Sequence, residues 1–451
     1  MTKDVQKKSL MAKAKSAFAM LCRTGFSSIF ITNIIIKGVG LIGNVILVRL
    51  LDPGEYGSYT HIMNAYAILV LLADLGNGMT SVQLCSEYHE DAEKQSALFS
   101  MAFRRSMLIS SVSSLLLLCS GFFYPFNIEN AAFYTASLFL LPLIENVNRF
   151  LLNNAQIKLQ NNVYAKINMF SSLIRYFVLL PLSYLFSFQG ALYSEYCIQL
   201  LMMCFGLFVS RKFLRLRAPE KCLEPSLKRI FTRLSLSSAL NNMINNSFSL
   251  IDVFLIGLIV KDMEILASYK VATTIPLSLA IIPSAIDIYI MPHFARHRKD
   301  LKWVKKTYAV VLLALCAFNL LVCLGASLLA PQIMGLLFGA NYQNAGTCFA
   351  ILLAGYFFSA IRLVTYTVLY TQRQVNVNVI LTCISLGTNV LFNVLLIPKF
   401  QSIGAALASA GVNLLSAVLM VGYLIFHLWR ISKHPPEEQD ELPAKQEAVK
   451  E

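Results

Sequence analysis

Apolar runs recur along this 451-residue chain at the length of a membrane crossing. A transmembrane helix needs about 20 predominantly apolar residues. That ruler marks twelve segments, at 27–50, 57–77, 102–123, 132–152, 164–186, 189–210, 235–258, 267–291, 305–330, 345–370, 376–397 and 402–426. Their apolar residues run on without the strict alternation of barrel strands, so a membrane β-barrel is excluded. The expected fold class is an all-α polytopic membrane protein with twelve transmembrane helices.

The polar segments divide the runs. The longest, 211–234, is rich in Arg and Lys and separates two sets of six. The expected organisation is a basic N-terminal segment at 1–26, a first six-helix bundle at 27–210, a basic linker at 211–234, a second bundle at 235–426 and a tail at 427–451. The charged, proline-bearing tail reads as disordered. The first apolar run is too long for a signal-peptide core and no small-residue cleavage site ends it, so it is expected to be retained. Two pairs of loops match across the halves. DPGEYGSY (52–59) and DMEILASY (262–269) share Asp, Ser and Tyr at an offset of 210, and FQGAL (188–192) resembles SIGAAL (402–407) at an offset of 214. A duplication of six spans keeps both copies in one orientation, which implies a pseudo-two-fold axis along the membrane normal.

Composition agrees. The chain is 57% hydrophobic and 14% charged, with a mean hydropathy of +0.62, against about 25% charged in soluble domains. The net charge of +14 would suit nucleic acid, but its placement argues against that partner. Of 38 Lys and Arg, 30 fall in or beside the two tails and alternate loops, while the opposite loops hold Lys261 and Lys399. Positive residues stay on the cytoplasmic side, so both termini are expected there, beside anionic lipid. The ten cysteines show no metal-ligand spacing and read as buried apolar thiols.

The remaining charges lie inside spans: Lys37, Arg49, Arg149, Arg175, Lys270 and Arg362, with Asp74, Glu145, Glu195, Asp252 and Asp287. Each facing lipid at mid-depth would cost about 2.5–3.5 kcal/mol, so most must face one another, water or a span end. Arg49 can reach Asp52 and Glu55 at a helix end, Glu145 and Arg149 are spaced to pair on one helix, and Asp74 and Asp287 lie near span ends. Lys37 and Arg175 sit mid-span with no local partner and point to a polar cavity. Polar stripes follow helical spacing: Asn33, Lys37, Gly40, Asn44; Ser238, Asn242, Asn245, Ser249, Asp252; and Asn378, Thr382, Ser385, Asn389, Asn393. Such stripes either hydrogen-bond helices together or line a water-filled cavity between the halves; three long ones favour the cavity. Pro276 and Pro283 interrupt span 8. No phosphate-binding loop or zinc-protease motif occurs, His293 and His297 in HFARH lacking the acid. Neither an enzyme nor a cofactor or metal is expected.

LVRLLDPGEYGSY (47–59) followed by LLADLGNGMTS (71–81), with LLFGANYQNAG (336–346), NVLFNV (389–394) and LIPKFQSIGAALASA (396–410), resembles Wzx-type polysaccharide flippases of the multidrug/oligosaccharidyl-lipid/polysaccharide exporter superfamily. The resemblance implies a V-shaped exporter of the bacterial inner membrane that carries an undecaprenyl-pyrophosphate-linked oligosaccharide (O-antigen or another surface-polysaccharide repeat unit) outward by alternating access. It implies coupling to H+ or Na+ and partnership with membrane lipids, a polysaccharide polymerase and chain-length proteins. On this reading Lys37, Arg149, Arg175, Lys270 and Arg362 are cavity cations. Asn33, Asn44, Asn242, Asn245, Asn389 and Asn393 line the polar cavity for substrate, the last four of them serving the sugars, and Glu145, Glu195 and Asp252 are coupling candidates. The alternatives are a multidrug/cation antiporter, a lipid II flippase and a non-transporting scaffold for polysaccharide assembly.

Overall fold

A computed structural model describes residues 26–123, 128–211, 223–298, 300–372 and 374–433, and no strand occurs among them. Helix α1 (Phe26–Leu50) leads through the Asp52 turn into α2 (Pro53–Ala73), which has proline in its first turn, where the missing N–H leaves no bond unmade. The LLADLGNGMTS stretch becomes a break: Leu75 and Gly76 take positive φ of 42° and 73° before α3 (Asn77–Glu87). At Gly76 a Cβ would lie 2.3 Å from the Ser235 carbonyl oxygen. Helices α4 (Ala92–Phe123), α5 (Ala131–Ser137), α6 (Leu141–Ile157) and α7 (Asn161–Ser210) follow. Then come α8 (Pro225–Ile259), α9 (Met263–Leu279), α10 (Ile281–Arg296), α11 (Leu301–Leu328), α12 (Ala330–Phe338), a 3-10 turn (Ala340–Ala345), α13 (Gly346–Thr371) and α14 (Val375–Lys433).

Helices α7 and α14 are each a hairpin of two helical arms. The chain turns at Ser187 (φ 48°, ψ −132°) and at Gln401 (φ 53°, ψ −126°), close to the first central residue of a type II′ turn. Three residues after each turn stands a glycine. A Cβ on Gly190 would sit 1.9 Å from the Leu182 carbonyl oxygen, and one on Gly404 would sit 2.3 Å from that of Leu396. Residues eight apart in a straight helix are about 12 Å apart, so these contacts require the chain to fold back. Turn, glycine and carbonyl all correspond at the single offset of 214.

Helix α2 runs beside α8 and α9. Gly57 meets the Met263 carbonyl, Gly257 lies against the His61 ring, Asn64 Nδ2 donates to Leu250 O at 3.0 Å, and Ser235 Oγ donates to Asn77 Oδ1 at 3.2 Å. Helix α1 packs on α7 through Gly40 and Gly43, which receive the Tyr176 side chain. Its C-terminal end reaches the second half of the chain. The largest buried apolar cluster sits here, with Val48, Tyr56, Ile256, Tyr269, Phe338 and Phe349. A second cluster joins α3, α4, α6 and α8 through Leu84, Leu98, Phe150 and Phe231.

Seven helical stretches among the described residues are long and apolar enough to cross a membrane. Large apolar side chains such as Phe177, Leu313 and Leu321 stand exposed on the outside, a surface that suits hydrocarbon and not water. Helix α8 begins at Pro225, inside the segment read as a linker, and α14 continues to Lys433, into the segment read as a tail. Residues 1–25 and 434–451 lie outside the described residues.

Candidate functional site

Two carboxylates of the first half are each held between a tyrosine of α2 and an arginine. Glu145 on α6 pairs with Arg149 one turn later, Oε1 accepting from Arg149 Nη2 at 2.6 Å and Nε at 3.1 Å, as the spacing implies. Its Oε2 accepts the Tyr66 hydroxyl at 2.5 Å. Glu195, on the second arm of α7, accepts from Arg175 Nη1 of the first arm at 2.8 Å and from the Tyr59 hydroxyl at 3.2 Å. Arg175 therefore has the partner that its own helical neighbourhood lacked, twenty residues on across the reversal. The carboxylates lie deeper than their arginines: side-chain exposure is 21% for Glu145 and 2% for Glu195, against 40% for Arg149 and 39% for Arg175.

In the second half Asp252 of α8 is enclosed. Its Oδ1 accepts from Asn389 Nδ2 at 3.2 Å and Asn393 Nδ2 at 2.7 Å, and its Oδ2 accepts from the hydroxyls of Tyr269 (2.7 Å) and Ser409. Four donors from α9 and both arms of α14 satisfy one buried charge, the arrangement that buried carboxylates require. The offset of 214 that carries Ser187 to Gln401 also carries Arg175 to Asn389 and Glu195 to Ser409. The offset of 210 carries Tyr59 to Tyr269. Corresponding positions thus build both units, with a charge pair in one and neutral donors around an aspartate in the other.

The stripe on the first arm of α14 does not line an open cavity in this structure. Asn378, Thr382, Ser385, Asn389 and Asn393 are all buried, with Ser385 bonded to Ser416 of the opposite arm. Helical spacing identifies a face and not what the face meets, and here it meets protein. Asn44 is likewise a bridge, accepting from the Tyr56 hydroxyl at 3.2 Å and donating to Thr274 Oγ1 at 3.1 Å. Lys37 is exposed two turns before it on α1, and Asn242 is exposed on α8, where it accepts from Asn246 Nδ2 at 2.7 Å. Lys270 on α9 and Arg362 on α13 are half-buried. The side chains of Asn33 and Asn245 lie outside the described residues.

Arg49 departs from expectation. It forms no ion pair with Asp52 or Glu55; Nε donates to the Leu337 carbonyl at 2.8 Å and Nη2 to that of Leu336. These carbonyls end α12, so the arginine joins the first half to the second beside a recess of about 460 Å³. A helix C-terminus offers bare carbonyls and partial negative charge, a better partner than a solvated carboxylate. Asp74 accepts from the Gly78 N–H and from Ser106 Oγ, and Asp287 from Thr367 Oγ1.

Tyr59, Tyr66, Tyr269 and Ser409 are the members of these units not singled out from sequence as site residues. The recurrence of tyrosine in the two eight-residue motifs was the available signal for Tyr59 and Tyr269.

Residues 22–296 match the family model of polysaccharide biosynthesis proteins, and residues 170–433 match that of the lipid II flippase MurJ. A Shigella flexneri protein named "Putative O-antigen transporter" is 25% identical over 181 residues, which are 40% of this chain and 43% of that protein, so less than half of the relative is spanned. Among solved structures, lipid II flippase MurJ in an inward closed conformation has a TM-score of 0.71 at 13% identity, covering 90% of each chain. An inward-facing multidrug resistance MATE family transporter has a TM-score of 0.68 at 12% identity, covering 88% of this chain and 96% of its own. A Pyrococcus furiosus transporter, described as having a binding pocket of reverse polarity, has a TM-score of 0.64 at 14% identity, covering 90% and 96%. At these identities the structures speak for the fold, and the family models speak for descent. The chain belongs to the polysaccharide biosynthesis protein family, whose model matches more than half of it.

Proposed function

We propose that this protein moves an undecaprenyl-pyrophosphate-linked oligosaccharide, an O-antigen or similar surface-polysaccharide repeat unit, from the inner to the outer leaflet of the bacterial inner membrane. The observation that carries this reading is the pair of half-exposed guanidinium groups, Arg149 and Arg175, the second on a helical stretch of membrane-spanning length and the first on the 17-residue α6 packed beside it. Charges at that depth are tolerated where they meet water or a ligand, and guanidinium forks match phosphate oxygens bidentately. The exposed Lys37 and Asn242 would meet the rest of the headgroup, while the lipid tail stays in the bilayer. The Shigella relative supports the substrate class.

The proposed chain crosses the membrane twelve times, in two six-helix bundles, α7 and α14 each contributing two crossings, with both termini cytoplasmic as the Lys and Arg asymmetry requires. The Arg49 end is then the outer end, closed in this structure, and rocking of the halves about α2, α8 and α9 would open it. Coupling to H+ or Na+ falls to Glu195 and Asp252, the two carboxylates most fully enclosed, with Glu145 third. A polymerase and chain-length proteins would receive the product. Lipid II is the second reading, favoured by the match of residues 170–433 to the MurJ model; it keeps the diphosphate chemistry and changes the sugar.

The test is transport of a short polyprenyl-diphosphate oligosaccharide across reconstituted vesicles, with lipid II as competitor, for wild type, Lys37→Ala and Arg175→Ala. Wild type should flip the oligosaccharide and both folded variants should fall at least about tenfold, the factor that each 1.4 kcal/mol of lost interaction gives. Flipping of lipid II alone selects the second reading. A wild type that exports an organic cation and moves no lipid diphosphate sinks both.

A further inference from the structure

Tyr59 and Tyr66 lie seven residues apart on α2, two turns along one face and about 10 Å in rise. Each begins the same sequence of contacts, tyrosine to glutamate to arginine. The two units are also near one another, since Asn148, next to Arg149, donates Nδ2 to the carbonyl and Oε1 of Gln199, one turn beyond Glu195, at 3.0 and 2.7 Å. In both, the acid lies behind and the base lies open, at almost equal exposure. Arg175 gives one N–H to Glu195 and Arg149 gives two to Glu145, so of five donors each the others are left for an anion.

Two bare arginines in a cavity would hold a diphosphate tightly, and tight holding opposes passage. Transport requires sites that bind well enough to admit the cargo and weakly enough to release it, arranged in succession. Resting on the flippase reading above, we propose that the Tyr66–Glu145–Arg149 and Tyr59–Glu195–Arg175 units are two successive stations for the diphosphate headgroup, and that Glu145 and Glu195 are the groups that release it. Each glutamate competes with the anion for its own arginine and re-forms the ion pair as the headgroup leaves. The tyrosine hydroxyl sets the strength of that competition, because a carboxylate already accepting a hydrogen bond pulls less on the guanidinium.

Inorganic pyrophosphate binding to the full-length protein in nanodiscs, measured by calorimetry, and flipping of the polyprenyl-diphosphate oligosaccharide in vesicles test this together. Glu145→Gln and Glu195→Gln should bind pyrophosphate roughly tenfold more tightly and transport with kcat and KM both lowered. Tyr59→Phe should shift pyrophosphate affinity the opposite way. Folded glutamine variants that bind no tighter than wild type overturn the proposal. If the glutamine variants fail to fold, unchanged affinity in Tyr59→Phe overturns it instead. Should those results come with intact wild-type flipping, the flippase reading stands and the release role alone falls. Should Arg149→Ala/Arg175→Ala bind pyrophosphate like wild type and wild type flip no lipid diphosphate, both fall.

Discussion

Tyr59 and Tyr269, 210 positions apart, each donate a hydroxyl to a buried carboxylate, Glu195 at 3.2 Å and Asp252 at 2.7 Å. The tyrosine is common to both copies of the eight-residue motif; the carboxylate is not. Glu195 lies on the second arm of α7, whereas its counterpart on α14 is Ser409, and the acid of the second unit comes from α8. The arginine changes as well, Asn389 standing where the first copy has Arg175. The same scaffold therefore holds an open charge pair in one half and an enclosed aspartate among neutral donors in the other. The anion chemistry proposed above accordingly falls to the first half.

Asp252 separates a structural role from a coupling role. Asp252→Ala would take the acceptor from the buried Tyr269 hydroxyl and Asn389 amide, at about 1–3 kcal/mol each, and from the partly buried Ser409 hydroxyl, while Asn393 keeps Asn389, so it should express poorly or unfold early. Asp252→Asn keeps one acceptor oxygen and the volume. If Asp252 couples an ion, the asparagine variant should remain folded by thermal unfolding in detergent, yet transport at a rate indifferent to an imposed H+ or Na+ gradient. A variant that folds and responds to both gradients like wild type removes Asp252 from the coupling candidates.

Arg49 should act as a fastener between the halves. Its two bonds reach carbonyls at the end of α12, and hydrogen bonds from a charged donor contribute about 1.5–3 kcal/mol. Losing them in Arg49→Ala should populate the state open at this end roughly ten- to a hundredfold more. Val48 is 1% exposed beside it. In a cysteine-free background, Val48→Cys should therefore react with an impermeant maleimide at least about tenfold faster when Arg49 is absent. Equal labelling rates would show that the end is held closed by other contacts.

The hairpin turns make opposite predictions at neighbouring positions. Gly190→Ala and Gly404→Ala place a methyl against a carbonyl oxygen at 1.9 and 2.3 Å, so neither hairpin can close as it does, and folded yield should collapse. Ser187 and Gln401 take positive φ with extended ψ, a region that costs non-glycine residues about 1–3 kcal/mol. Ser187→Gly and Gln401→Gly should raise the melting temperature or leave it unchanged. A clear fall in either glycine variant would mean that the side chain, and not the backbone, sets the turn.

Much of this architecture was legible because membrane helices announce themselves by length. The apolar runs anticipate the breaks at Ser187 and Gln401, and the Glu145–Arg149 pair follows from residues four apart on one helix. Other features were hidden for physical reasons. Arg175 and Glu195 meet across a reversal, a proximity that no helical period encodes. The α14 stripe has the period of a cavity wall, but buried inter-helix bonding has the same period. The short α12 and the 3-10 turn beside it escape a 20-residue ruler, so the partner of Arg49 could not be foreseen. Tyr59 stood in a repeated motif, but its carboxylate came from a different helix in each copy.

The break between α9 and α10 has its own arithmetic. Pro283 has no N–H to give to the carbonyl four residues back, Leu279, and the Tyr356 hydroxyl stands 3.1 Å from that oxygen, also 3.3 Å from Asn319 Oδ1. The tyrosine thus replaces a bond that proline removes, and the helix can bend without leaving a carbonyl bare in hydrocarbon. Tyr356→Phe should cost about 1–3 kcal/mol in the wild-type background. Pro283→Ala restores the N–H, so Tyr356→Phe added to it should cost measurably less, the residual being the contact with Asn319. A double-mutant cycle of thermal stability reads this coupling directly. If α9 and α10 hinge during transport, Pro283→Ala should also slow flipping while leaving pyrophosphate binding intact. Additive stability effects would mean that Tyr356 does not serve the proline break, and unchanged flipping would place the hinge elsewhere.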